Sequence, residues 1–395
     1  MAHISHLVED RDITLGDVED IATLSAAGRL VATEKLDGAN VMYSSNSKYE
    51  SRFSRSESDI KSAGMIAAVL EAKFAGRGLV QDTFSNGANA IRSAVRAFSP
   101  LELIQVFEGL RLWYSAEIVY TKNPNVVRYD RDVIVLHERP VLRLFGEKIV
   151  SADPGQPCAA DVQTLLKRVP DMDDNVRASG WQVRGPSRVA LQPMVEQASL
   201  HALRGVLKKM GPPATTLQDF LLDRAFEELT RFRMHEPLLK SAALRLSEAK
   251  GAPTLTVLKP CVPSSVALML RGSKEWVAKQ LAPLELAIVD FGVDFLPGVK
   301  PSLVADPDSE AKRIREKLEE SLALVKKSRN QHAVEYVAKQ MEKLKDPSRV
   351  TTPVEGVVFP WKGKLYKITG AFASANAIIG LCRYGRGKDI PPISG

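Results

Sequence analysis

The chain has 395 residues, 45% hydrophobic and 26% charged, and 54 Lys plus Arg against 47 Asp plus Glu leave a formal charge of +7. That length exceeds what one hydrophobic core usually organises, so two or three domains are expected, and the mild basic excess permits a polyanionic partner without requiring one. Cys158, Cys261 and Cys382 lie far apart and are odd in number, which excludes a disulfide framework or zinc cluster and points to the cytoplasm; no run approaches the roughly 18 apolar residues of a membrane span, and no basic-then-apolar leader opens the chain.

In chain order, short β-rich runs at 30–34, 41–44, 50–53, 114–120 and 133–137 are separated by polar turns, with a helix at 62–74 where apolar residues recur at spacings of three and four. Strands that succeed one another with few helices between them predict antiparallel pairing and an α+β class. Near residue 151 the texture becomes helical, at 160–168, 196–210, 217–232 and 238–250, with a strand pair at 181–191. The chain therefore divides into 1–140, an α-rich insertion at 141–349, and 350–395. Asp306 as N-cap and Pro307 at the first helical position open a long helix carrying Ile314, Leu318, Leu322 and Val325 on one face. Ser328-Arg329-Asn330 breaks it before Val334, Val337, Met341 and Leu344 resume the stripe, and the charged exterior predicts a solvated helical hairpin. Strands then return at 354–359 and 364–369. With Gly363 in the left-handed position of a three-residue loop, Pro360 pairs with Lys364, Val357 faces Lys367, and Glu355 lies diagonally on the same face.

The strongest local signal is Glu34-Lys35-Leu36-Asp37-Gly38-Ala39-Asn40, between two strands. A lysine in a tight turn, close to a carboxylate and to a glycine that lets backbone approach, is what a lysine nucleophile acting on a nucleotide requires. Lys35-Leu36-Asp37-Gly38 resembles the Lys-x-Asp-Gly signature of the covalent nucleotidyltransferases, the superfamily of ATP-dependent RNA and DNA ligases and mRNA-capping enzymes. Glu34 and Ala39-Asn40 make it most similar to RNA ligases of the phage T4 RNA ligase 2 type. Further fragments follow in the family's order. Arg52-Phe53-Ser54-Arg55 resembles the strand with a phosphate- or ribose-contacting arginine, matched by Arg55. Ser115-Ala116-Glu117-Ile118-Val119 is similar to the motif whose glutamate binds the ribose. Glu355-Gly356-Val357-Val358 resembles the motif whose glutamate holds a divalent metal, and Tyr366-Lys367-Ile368 the one whose lysine contacts the α-phosphate.

The resemblance implies an antiparallel-sheet nucleotidyltransferase core built from both chain ends. It implies an enzyme using ATP and Mg2+ that joins polynucleotide 5′-phosphate and 3′-hydroxyl ends, RNA rather than DNA, through a lysyl-AMP intermediate. Lys35 would be the nucleophile, Glu34, Asp37, Gly38, Asn40, Arg55, Glu117 and Lys367 the nucleotide contacts, and Glu355 the metal ligand. Crowding by Lys367, Arg55 and the metal would lower the Lys35 pKa. The same residues also suit a capping-like or protein-modifying transferase, or a degenerate core that only binds nucleotide or nucleic acid. The chain departs from the family in three ways. The first lysine of the Lys-x-Lys motif falls on Leu365 unless Lys364 substitutes; the stretch 131–137 offers only His137 to stack on a base; and 370–395 is too short for a further carboxy-terminal domain. The basic 382–388 tail is suited to pyrophosphate or a nucleic-acid backbone, and 123–130 reads as an ordered loop at the pocket rim. No other metal, hydrolase or P-loop pattern is present in the sequence.

Overall fold

The computed structural model describes residues 4–249, 261–328 and 330–383. In chain order its strands are β1 (Ser5–His6), β2 (Ala32–Lys35), β3 (Ala39–Ser44), β4 (Arg52–Ser54), β5 (Leu112–Val119), β6 (Asp132–Phe145), β7 (Lys148–Ser151), β8 (Trp181–Arg184), β9 (Arg188–Val189), β10 (Gly356–Trp361) and β11 (Lys364–Ile368). Among the described residues they form two sheets, ordered β1-β11-β10-β2-β9 and β4-β3-β5-β6-β7, with β8 parallel to β6. Apart from that pair and β1 beside β11, pairing is antiparallel, so the class is α+β as expected. The two chain ends meet in the first sheet, where β2 lies against β10.

Strand alternation builds the layers. On one face of the first sheet, Ala32, Val357, Phe359, Tyr366 and Ile368 pack against the helices Leu15–Ala26, Ala198–Met210 and Ser273–Phe295. On one face of the second, Val41, Tyr43, Tyr114, Ala116, Ile118, Ile134 and Leu136 pack against the helices Leu79–Ala94 and Pro100–Phe107. Between the sheets, Leu36, Val119, Val133 and Val135 join a core from the helices Pro307–Lys327, Gln331–Leu344 and Ala371–Arg383. Among the described residues no helix is long and apolar enough to cross a membrane.

Several sequence expectations are corrected. The boundary at 140/141 cuts through β6, and β7, β8 and β9 beyond it belong to the two sheets. The helices expected in a separate insertion mostly cover the sheets, and among the described residues a smaller core around Ala225, Leu229, Leu246 and Leu270 joins the first-sheet core at Trp276. The expected 62–74 helix is Glu57–Lys61 and Ala67–Lys73, split where Ala63 (φ 64°) and Gly64 (φ 68°) turn left-handed. The expected 181–191 pair is no pair: β8 joins β6 and β9 joins β2. The helix expected to reach 250 runs Glu236–Ser247, and Lys250 lies outside the described residues. The Asp306 cap is as expected, its carboxylate accepting from Ser309 N at 3.1 Å, and Asn330 caps the next helix, with Arg329 between them outside the described residues. The hairpin register moves by one. Lys362 (φ 45°) and Gly363 (φ 80°) form a two-residue loop that pairs Trp361 with Lys364 and Val358 with Lys367. Two left-handed residues give the turn whose twist matches that of the strands, which a three-residue loop does not need.

Candidate active site

Alternation in β2 turns Thr33 and Lys35 to one face and Ala32 and Glu34 to the other. The corrected hairpin register puts Val358, Lys367, Pro360 and Leu365 on the same face as Thr33 and Lys35, and these residues line a cavity of about 590 Å³. Its opposite wall comes from the second sheet: Asn40, Arg55, Ser115, Glu117 and His137. Residues more than three hundred positions apart in sequence therefore share one cavity.

Gly356 pairs with Lys35 across β2 and β10, which brings the preceding Glu355 to the lysine, and Glu355 Oε1 forms an ion pair with Lys35 Nζ. Both are largely buried, their side chains 23% and 12% exposed. Burial alone would discharge the ammonium, but Glu355, with Glu117 and Asp37 further off, outweighs it and raises the Lys35 pKa above its ordinary value. The expected lowering by surrounding cations is thus reversed by the carboxylates. Burial pushes the Glu355 carboxyl up to about 7, against the pull of Lys35. Burial and the neighbouring Lys35 lower the Lys367 ammonium.

Across the cavity, Asn40 lies opposite Glu117 in the β3–β5 register, and its Nδ2 donates to Ser115 Oγ at 2.8 Å and to Glu117 Oε2 at 3.3 Å. His137 Nε2 lies 3.6 Å from the same carboxylate oxygen. Arg55 donates to the Asn40 carbonyl and stacks over the Phe84 ring, 4.8 Å from its centroid. Gly38 allows the close approach between its turn and β5: a Cβ there would stand 2.7 Å from Glu117 Cγ and 2.8 Å from the Ile118 carbonyl oxygen.

Two expected contact residues turn away. Glu34 sends its buried carboxylate to Ser302, accepting from N at 2.8 Å and from Oγ at 2.5 Å, because its strand position faces the other side of the sheet. Asp37 is buried and accepts from Val126 N at 2.6 Å and Val127 N at 3.0 Å, while its own N–H donates to Tyr129 Oη at 2.7 Å. The polar loop after β5 thus grips the turn carrying Lys35. Glu310 and Arg313 brace that loop in turn: Arg128 N donates to Glu310 Oε1 at 2.6 Å, Arg313 pairs with Glu310, and Arg313 also donates to the Val126 carbonyl. These two residues escaped the sequence reading. Their only local sign is an acidic-basic pair three apart on a helix.

Lys364 does not replace the missing family lysine. It binds Asp10 at 2.9 Å and Asp12 at 3.1 Å on the side of the hairpin away from the cavity, and Leu365 lines the cavity instead. The basic tail from Tyr384 to Lys388 lies outside the described residues. Among those described, no group of three or more His, Cys, Asp or Glu side chains is placed to hold a metal unaided. A divalent ion bound by one or two carboxylates plus phosphate oxygens and water needs no such group. Compared with protein-family models, curated proteins and solved structures, the chain matches none.

Proposed function

We propose that the protein is an ATP-dependent nucleotidyltransferase that joins polynucleotide ends, RNA rather than DNA, through AMP carried covalently on Lys35. The observation that carries this reading is the meeting of Lys35, Lys367, Arg55 and Glu117 around one inter-sheet cavity, with Glu355 paired to Lys35 beside it. At about 590 Å³ it is of nucleotide size.

Lys35 begins as a paired ammonium, and Glu355 is the group able to take its proton, because burial holds that carboxyl near neutral pKa. The free amine attacks the α-phosphorus of ATP. An N–P bond forms, the bridging P–O bond to the β-phosphate breaks, and pyrophosphate departs with the bonding electrons. Lys367 and Arg55 stabilise the charge on the phosphoryl oxygens, and Asn40 and Glu117 accept the ribose side. Mg2+, held by Glu355 with the phosphates, would supply further charge neutralisation. Transfer of AMP to a 5′-phosphate restores the lysine, and attack by a 3′-hydroxyl then expels AMP and seals the strand.

Incubation with α-labelled ATP and Mg2+ followed by denaturation tests the reading. Label retained by the wild type and absent from Lys35→Ala is expected; no label with ATP or GTP, or equal label in Lys35→Ala, would refute it. An adenylated 5′-phosphorylated RNA end distinguishes ligation from capping-like transfer.

A further inference from the structure

The strand that presents Lys35 is supported unevenly. On one edge β10 pairs with it as far as Lys35, through Gly356; on the other, among the described residues, β9 pairs only with Ala32 and Thr33, and beyond them Glu34 N donates to the Ser187 carbonyl at 2.8 Å. Lys35 therefore stands at a strand end with a paired neighbour on one side, where opening is easiest. Further support comes from behind the sheet. Glu34, 4% exposed, directs its carboxylate away from the cavity, and a single oxygen, Oε2, accepts from Ser302 N at 2.8 Å and from Ser302 Oγ at 2.5 Å. Hydrogen bonds to an ionised acceptor are among the strong ones. Ser302 is itself fixed. It lies in segment 299–303, between the helices Ser273–Phe295 and Pro307–Lys327, and the ends of that segment are pinned in different cores: Val299, bridged to Leu191, in the first-sheet core, and Leu303 in the core between the sheets. The Leu303 carbonyl also accepts from Asp130 N at 3.1 Å, at the end of the loop whose Val126 and Val127 take up Asp37. The segment thus holds the lysine turn at two points, through Glu34 before Lys35 and through that loop at Asp37 after it.

We propose that Ser302 is a positioning residue, which aims the Lys35 amine through its two hydrogen bonds to Glu34; this rests on the reading of Lys35 as the nucleophile. Ser302 does not line the cavity, so it touches neither nucleotide nor reacting atoms. Strand alternation carries its effect. Glu34 and Lys35 leave β2 on opposite faces, so a rotation of the strand end that lets Glu34 move swings the Lys35 side chain with it. Attack on phosphorus tolerates little of that, because a misplacement of about 1 Å can cost on the order of 10²-fold in rate. Glu34 then serves the reaction from behind the sheet, without the nucleotide contact that the sequence led us to expect.

Single-turnover label transfer from α-labelled ATP, with hydrogen exchange of residues 34–38 followed by mass spectrometry on the same full-length proteins, tests it. Ser302 is exposed, so Ser302→Ala removes the hydroxyl with little loss of packing. The expected result is a maximal rate on the order of tenfold lower, with the ATP concentration for half-maximal rate unchanged. Exchange at 34–38 is expected to be on the order of tenfold faster, with residues 41–44 of β3 unaffected. Ser302→Thr, which restores the donor, is expected to recover both. A maximal rate equal to that of the wild type, a loss confined to ATP affinity, Ser302→Thr as slow as Ser302→Ala, or unchanged exchange at 34–38 would overturn the proposal. Absence of label on the wild type would instead refute Lys35 as the nucleophile, and the exchange measurement would still decide whether Ser302 holds the Lys35 strand.

Discussion

Replacing Glu355 by Gln keeps the shape of the Lys35 partner and removes its charge. The stranded ammonium would then be largely buried, near Lys367, and breaking a buried pair from one side costs about 3–5 kcal/mol. Lys35 can escape part of that cost by losing its proton. From its ordinary value of 10.5 this takes 1.36 kcal/mol per pH unit, about 4.8 kcal/mol at pH 7 and about 2 kcal/mol at pH 9. The penalty carried by the ammonium is therefore capped at about 2 kcal/mol at pH 9, about 1–3 kcal/mol below its value at pH 7. Glu355 acts in the same direction. Its folded pKa of about 7 exceeds the ordinary 4.5, so its contribution to stability is present below pH 4.5 and lost as pH rises through 7. The wild type suffers that loss and Glu355→Gln does not. Urea unfolding followed by tryptophan fluorescence, at pH 7 and pH 9, is expected to show Glu355→Gln less stable by about 3–5 kcal/mol at pH 7, with most of that gap closed at pH 9. A gap independent of pH, or below about 1 kcal/mol at pH 7 as for an exposed pair, would refute the reasoning.

Two further substitutions probe the support of the lysine turn. Arg313→Ala releases the brace on the 126–129 loop and is expected to slow single-turnover label transfer to Lys35 by on the order of 10²-fold, with half-saturating ATP unchanged and Arg313→Lys recovering part of the rate. Gly38→Ala drives a Cβ to 2.7 Å from Glu117 Cγ and 2.8 Å from a β5 carbonyl; a loss of about 1–3 kcal/mol is expected, read as a lowered thermal midpoint, and an unchanged midpoint would show that the turn can move off β5.

The turn around Lys35 was legible in the sequence because its chemistry is consecutive: lysine, carboxylate and glycine lie within four residues, between two β-rich runs. Glu117, Glu355 and Lys367 were legible only as a set, since each alone is an ordinary strand residue. What the sequence hides is which layer covers each face. Alternation shows that Glu34 and Lys35 point oppositely, but not that Ser302 waits behind Glu34. The apolar stripes of the helices between 198 and 344 are visible, but a stripe does not name its partner, so cladding for the two sheets reads as an independent insertion. The hairpin register depended on one residue, Lys362, adopting the left-handed backbone that most lysines avoid. Asp37 reads as a site carboxylate, yet the N–H groups of Val126 and Val127, some ninety residues on, take it up as a structural anchor.

Mass spectrometry of the protein after incubation with ATP and Mg2+, with proteolysis and peptide sequencing, examines the central claim most directly. The account predicts a single AMP adduct on the Lys35 peptide, removed on adding pyrophosphate. An unmodified chain, or an adduct on any other lysine, would contradict it.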